Sequence, residues 1–268
     1  MSTKILFRTS LAEEDELSVA KKYFDVIESR SFVRPSDNII CRYSSLPYYD
    51  ELEKDVLNMG GTLINSYNEH KFIADLRNWY YLLSDFTPKT WFSLAEAIND
   101  PYEGPYVLKG ATNSRKSLWL SHMFAENKEE MRKVYLRLMD DALIGDQGVY
   151  IRQFEKFKTY GTAINGMPVA KEFRLFVLDG KIIAKGYYWS NHPELIEQHR
   201  PDANEIPRSF LNEVMCRVSG SIRFWVMDVA QREDGEWKII ELNDGTMSGL
   251  SCIDHDEFYR SLKKACEQ

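Results

Sequence analysis

Two carboxylates and a carboxamide near the C-terminal end have the types and spacing to hold a hard cation. The segment Arg223-Phe-Trp-Val-Met-Asp-Val-Ala-Gln-Arg-Glu-Asp-Gly-Glu-Trp-Lys-Ile-Ile-Glu-Leu-Asn243 places two runs rich in aromatic and β-branched residues around Asp234-Gly235. Such a dipeptide supplies the positive φ angles of a tight hairpin turn. With Asp234 and Gly235 as the two turn residues, Asp228 falls opposite Glu241, and strand alternation puts Asn243 on the face of Glu241. Like charges opposed across a sheet repel, and the surrounding Trp, Val, Ile, Leu and Met disfavour ionisation. Mg²⁺ relieves both penalties, because it takes oxygen ligands from one or two carboxylates and leaves positions for phosphate. The alternative is a partly exposed pair at a sheet edge, tolerated by solvation.

A basic counterpart precedes it. Ala170-Lys-Glu-Phe-Arg-Leu-Phe-Val-Leu178, a turn at Asp179-Gly180 and Lys181-Ile-Ile-Ala-Lys-Gly-Tyr-Tyr-Trp189 read as a second hairpin, with Arg174 opposite Lys185. Phosphate oxygens would relieve that repulsion, Arg as a planar fork and Lys as a point charge. Glu172, diagonally near, offers internal neutralisation instead. Upstream, the strand Tyr106-Val-Leu-Lys-Gly110 leads into Ala111-Thr-Asn-Ser-Arg-Lys-Ser117, a small, polar, basic loop of the composition that cradles phosphate. It nearly spells a P-loop, but Arg115 stands where the second glycine is required, so that motif is rejected. A solvated surface turn is the other reading.

Among the elements that must position these residues, strands at Lys4–Arg8, Asn38–Arg42 and Thr62–Asn65 alternate with helices at Glu13–Arg30 and Tyr48–Met59. That alternation predicts a small parallel sheet. His70–Ser84 reads as helical, Ser93 as the cap of a helix over Leu94–Ile98, and Asp100-Pro101 with Gly104-Pro105 as a boundary. A charged helix over Asn127–Leu143, a strand at Gly148–Phe154 and a closing helix over Asp254–Gln268 complete the frame. His192 and His199 read as solvated surface residues, and Asp244-Gly-Thr-Met-Ser-Gly249 as a flexible loop.

Composition narrows the class. The 268 residues are 44% hydrophobic and 28% charged, as in soluble globular proteins. A net charge of −7 argues against gripping nucleic acid or anionic membrane by bulk charge. No stretch is apolar enough to span a bilayer, and Met1 to Ser10 lacks the apolar core of a signal peptide. Cys41, Cys216, Cys252 and Cys266 are far apart, which suits free thiols in a reducing cytoplasm.

A strand ending in lysine, a small polar loop, a basic hairpin and an acidic hairpin ending Glu-x-Asn together resemble the ATP-grasp superfamily, over about two thirds of the chain. Within it the chain looks most like the clade named for two arginines and a lysine. The resemblance implies an α/β fold. Its parts would be a parallel pre-ATP-grasp domain over 1–98 and an ATP-grasp domain over 99–268, the latter with an α+β lid subdomain at 104–148 and an α+β core subdomain at 149–268, both built on antiparallel sheets. It implies that Lys109 contacts ATP α/β-phosphates, and that the loop from Thr112 through Ser114 and Arg115 to Lys116 closes over the β/γ end. Gln153, Phe154 and Glu155 fall at the adenine hinge, with Glu155 toward ribose and Arg152 facing the same cleft. Arg174, assisted by Lys185, would steady the transferred phosphate. Asp228, Glu241 and Asn243 match Mg²⁺ ligands, with Mn²⁺ an acceptable substitute. The implied activity is ADP-forming carbon–nitrogen ligation of a carboxylate and an amine on an amino acid, peptide or protein, through an acyl phosphate. Two alternatives remain on the same fold: an ATP-binding assembly chaperone that docks a protein partner, and a kinase acting on a hydroxyl.

Overall fold

The computed structural model describes residues 2–8 and 14–267. Four parallel strands open the chain, β1 (Ser2–Leu6), β2 (Asp25–Ile27), β3 (Asp37–Cys41) and β4 (Thr62–Leu63), in the order β2-β1-β3-β4. Helices α1 (Glu14–Tyr23) and α2 (Tyr49–Asn58) connect them. The helix expected over Glu13–Arg30 is therefore cut short, and Glu13 lies outside the described residues. Its second half, Phe24-Asp-Val-Ile, carries β-branched residues that pair with β1 as an edge strand.

Helices α3 (Tyr67–Ala74) and α4 (Leu76–Tyr80) follow, split where Asp75 caps α4 by accepting from the Arg77 amide. A second sheet, β5-β8-β6-β7, joins β5 (Thr90–Trp91), β6 (Tyr106–Gly110), β7 (Phe124–Ala125) and β8 (Val149–Gln153). Helices α5 (Leu94–Asn99), capped by Ser93 as expected, and α6 (Lys128–Met139) cover it, with Trp91, Tyr106, Met131, Leu138 and Ile151 in its core. This is the sheet expected to form the lid. Its central strand β8 lies beyond residue 148 and its edge strand β5 lies before residue 98, so the expected boundaries at 98 and 148 cut through it.

A small hairpin of β9 (Thr159–Thr162) and β10 (Pro168–Ala170) precedes the largest sheet, which runs β12-β11-β13-β14. Its strands are β11 (Glu172–Leu178), β12 (Lys181–Tyr187), β13 (Phe224–Gln231) and β14 (Trp237–Asp244). Between β12 and β13 run α7 (Pro193–His199) and α8 (Arg208–Val218), and α9 (His255–Cys266) closes the described chain. One sheet face presents Phe173, Leu175, Val177, Met227 and Val229 to a core shared with α4 and α8. The other presents Phe176, Phe224 and Val226 to α9 and to Ile5, Phe7 and Ala20 of the N-terminal unit. The first third thus shares its core with the large sheet.

Register decides which side chains reach the site. In β13–β14 the turn has three residues, Glu233-Asp234-Gly235, because the Arg232 amide donates to Glu236 O at 2.7 Å and Gly235 takes φ +94°. A bulge between Asp228 and Val229 in the ladder offsets the extra residue, and Asp228 pairs with Glu241. In β11–β12 the turn at Asp179-Gly180 has the expected two residues, both at positive φ. Here, however, a bulge between Phe176 and Val177 is uncompensated, so Arg174 pairs with Gly186 and Lys185 with Leu175. The expected Arg174–Lys185 pair does not form. A one-residue slip sends Lys185 to the opposite face, where its Nζ donates to Ala203 O at 3.3 Å. None of the described helices is long and apolar enough to cross a membrane.

Candidate active site

Between the lid sheet and the large sheet lies a cavity of about 390 Å³. Its apolar part is walled by Val107, Met123, Phe154, Met167 and Ile240; its polar end by Lys109, Lys116, Arg152, Glu172 and Glu241. Sequence alternation accounts for the charged face beneath that end, of which Glu172 and Glu241 line the cavity and Arg174, Asp228 and Asn243 do not. Glu172 and Arg174 are two apart on β11, Arg174 pairs with Asp228 on β13, and Asp228 pairs with Glu241 on β14. All four share one face, and the pairing of Asn243 with Val226 puts it there too.

The charges are interlocked. Arg174 grips Asp228 with two parallel bonds, Nε to Oδ1 at 2.8 Å and Nη2 to Oδ2 at 2.7 Å, and donates through Nη1 to Gly249 O at 2.9 Å. Lys109, reaching across from β6, bonds Glu241. Burial alone would push the Glu241 carboxyl up, but Lys109, Lys116 and Arg174 overcome it and hold the group at about 2. Burial drives Glu172 the other way, to about 7, with Lys116 pulling against it. Its Oε1 is buried and has no hydrogen-bond partner. Burial pulls Arg152 down to about 10. The Arg152 guanidinium donates to Ile240 O at 2.7 Å and Thr87 Oγ1 at 2.6 Å, a strut between β8 and β14.

Of the loop after β6, Ser114 and Lys116 line the cavity. Thr112 and Arg115 turn away: the Thr112 hydroxyl donates to Gln147 Oε1 at 2.9 Å, and Arg115 forks onto Asp141 at 2.8 and 2.6 Å. Gln153, Phe154 and Glu155 line it, but the amides of Gln153 and Phe154 are engaged by Lys89 O and Pro105 O. Glu155 Oε2 lies 3.1 Å from Arg232 Nε. Lys185 lies outside the site.

Two further expectations are corrected. The loop after Asn243 is anchored: Asp244 is buried, and its Oδ1 accepts from Asn65 Nδ2, the Thr246 amide and the Thr246 hydroxyl at 2.7–2.9 Å. His199 is stacked on Tyr160, ring centroids 4.3 Å apart, with Nε2 buried and unpartnered. Sequence reasoning gave Glu172 only a neutralising part and overlooked Tyr188, whose ring lies under Arg174 at 4.8 Å. The usable signal was the position of Glu172 two residues before Arg174 on a strand with one charged face.

Two antiparallel sheets flanking a slot lined by a strand lysine from one and, from the other, by the two outer acids of an acid–arginine ladder define an ATP-grasp protein. The chain belongs to family 3 of the ATP-grasp clade named for two arginines and a lysine, whose family model matches residues 97–262. No curated protein matches it. Among solved structures it is similar to the ATP-grasp ligase PsnB complexed with minimal precursor, Mg and ADP, at 11% identity and TM-score 0.60, covering 99% of this chain and 98% of that one. The D-cycloserine synthetase DcsG gives 12% identity and TM-score 0.60, covering 98% and 99%. A RimK domain ATP-grasp protein from Sphaerobacter thermophilus gives 12% and 0.57, covering 99% and 100%. At these identities the likeness shows the fold.

Proposed function

We propose that the chain is an ATP- and Mg²⁺-dependent ligase that joins a carboxylate to an amine through an acyl phosphate. The observation that carries this reading is the cavity itself, an apolar slot whose far end gathers Lys109, Lys116 and Arg152 against Glu172 and Glu241. Adenine fits the apolar slot, read by backbone groups after Phe154, since the two preceding amides are engaged. The partnerless Glu172 Oε1, at the polar end of the slot, accepts from ribose hydroxyls, a role that Glu155 beside Arg232 gives up. Lys109, Ser114 and Lys116 take the phosphates.

Among the described residues no three His, Cys, Asp or Glu side chains converge as a ready-made metal cage. The donor set nevertheless fits Mg²⁺, which is held by one or two carboxylates and takes its remaining ligands from phosphate and water. Asp228, Glu241 and Asn243 supply hard oxygens on one face, and Glu241 stays ionised. When bound, the ion neutralises phosphate charge and aligns it for in-line transfer.

In the first step a substrate carboxylate oxygen attacks the γ-phosphorus, the β–γ bridge bond breaks, and ADP leaves. Arg174 faces the transferred phosphate and the acyl phosphate it forms. An amine nitrogen then attacks the acyl carbon, the carbon–oxygen bond breaks, and phosphate departs as the nitrogen loses a proton. Such transfer asks the protein mainly for positioning and charge neutralisation. PsnB binds a precursor peptide and DcsG is a D-cycloserine synthetase, which supports amino-acid or peptide substrates. Free thiols suit a reducing cytoplasm.

Incubation with ATP, Mg²⁺ and amino-acid and peptide libraries tests the reading. ADP release that requires both a carboxylate and an amine is expected. Release that requires only a hydroxyl compound would make the chain a kinase, and tight ATP binding without turnover an assembly factor.

A further inference from the structure

Tyr188, the first residue after β12, has no role in the chemistry above, yet its ring is a shared wall between two cations from different sheets. Lys116 comes from the lid, with Nζ 2.7 Å from the phenolic Oη and 4.4 Å from the ring centroid. Arg174 comes from β11, with its guanidinium carbon 4.8 Å from the same centroid. Strand β11 fixes the ring, since the Tyr188 amide donates to Glu172 O at 3.0 Å. Asn165 Nδ2 in the β9–β10 turn donates to Lys116 O at 2.7 Å, so the lysine is held at backbone and tip.

The chemistry of this partner matters. Among the described residues Lys116 forms no ion pair, whereas Lys109 and Arg174 each hold a carboxylate. A lysine bonded to a carboxylate must leave that partner, or share it, to meet a phosphate. A lysine held by a neutral phenol oxygen and an aromatic face keeps its charge available while its position is set. The same ring separates two like charges that would otherwise repel at short range.

We propose that Tyr188 is a positioning residue that seats the lid lysine at the β/γ-phosphate end and sets its separation from Arg174. This rests on the ATP-binding reading above. Calorimetry with adenylyl-imidodiphosphate and Mg²⁺, and separately with AMP, would be run on the wild type, Tyr188→Phe, Lys116→Met and the double variant. Tyr188→Phe keeps the ring and loses the hydroxyl. It should weaken the triphosphate analogue about 10- to 100-fold, as expected for one hydrogen bond to a charged group, and leave AMP affinity unchanged. The double variant should bind the analogue no more weakly than Lys116→Met alone. Additive losses, or an equal loss of AMP affinity, overturn the inference while leaving the ligase reading intact. A wild-type chain that binds neither nucleotide sinks both.

Discussion

Two acidic positions sit three residues apart on β14, Asp244 buried and Glu241 half-buried, and they are built oppositely. Asp244 is saturated: Oδ1 takes three donors, Oδ2 lies 3.1 Å from His70 Nδ1, and the ring of His70 stacks on Tyr49 at 4.1 Å. Glu241 faces the cavity among charges whose pairing is incomplete, beside a Glu172 oxygen with no partner at all. An acidic side chain at the end of one strand is common to both. Leftover bonding capacity next to open volume distinguishes a place for a ligand from a structural clasp. The clasp itself joins Asn65 and His70 of the N-terminal third to the end of β14, directly after Asn243.

Substitutions can break or sharpen that contrast. The largest effect is expected for Asp244→Ala, which strands Asn65, Thr246 and His70 and should cost about 3–5 kcal/mol in urea unfolding. A cost below about 1 kcal/mol would erase the distinction. Glu241→Gln should weigh on function instead, lowering Mg²⁺-dependent nucleotide affinity or turnover about 100-fold, roughly 2.7 kcal/mol, while unfolding shifts by less than for Asp244→Ala. Unchanged kinetics would return the acidic pair to a structural role.

Glu172→Gln gives a smaller, pH-dependent signature. Glu172 titrates near 4.5 unfolded and about 7 folded, so between those values the folded chain binds more protons and stability falls as pH rises. Glu241 works in the opposite window, its contribution present above 4.5 and lost as pH falls toward about 2. The wild type minus Glu172→Gln difference should therefore slope between pH 4.5 and 7 and flatten above it. A flat difference throughout would mean that Glu172 carries its ordinary affinity for protons. Least of all should happen with Lys185→Ala, within about 0.5 kcal/mol in stability and silent in nucleotide binding. A tenfold loss of binding there would contradict its place on the far face.

The two hairpins, the Asp228–Glu241 pairing and the lysine near the end of β6 were legible because alternation and turn chemistry are local. The bulges were not, because an extra residue in a ladder is settled by packing on both faces. In β11–β12 the deciding contact is tertiary: a Cβ on Gly186 would sit 2.8 Å from Ile253 Cγ1 and 3.1 Å from its backbone N. The helix read through Phe24–Ile27 failed because its apolar spacing also suits a buried edge strand. The clasp on Asp244 stayed hidden since Asn65 and His70 lie more than 170 residues away in the chain.

The two offsets in the β13–β14 ribbon have a consequence for anyone editing its length. Removing one residue of β14 between Glu236 and Ile240, with the irregularity beside Asp228 left in place, would slide Glu241 off Asp228 and bring Leu242 opposite it. Taking a residue from the loop instead leaves Arg232 opposite Glu236 and every pair beyond it as it stands, so the ribbon accepts changes of length in its turn and rejects them in its strand.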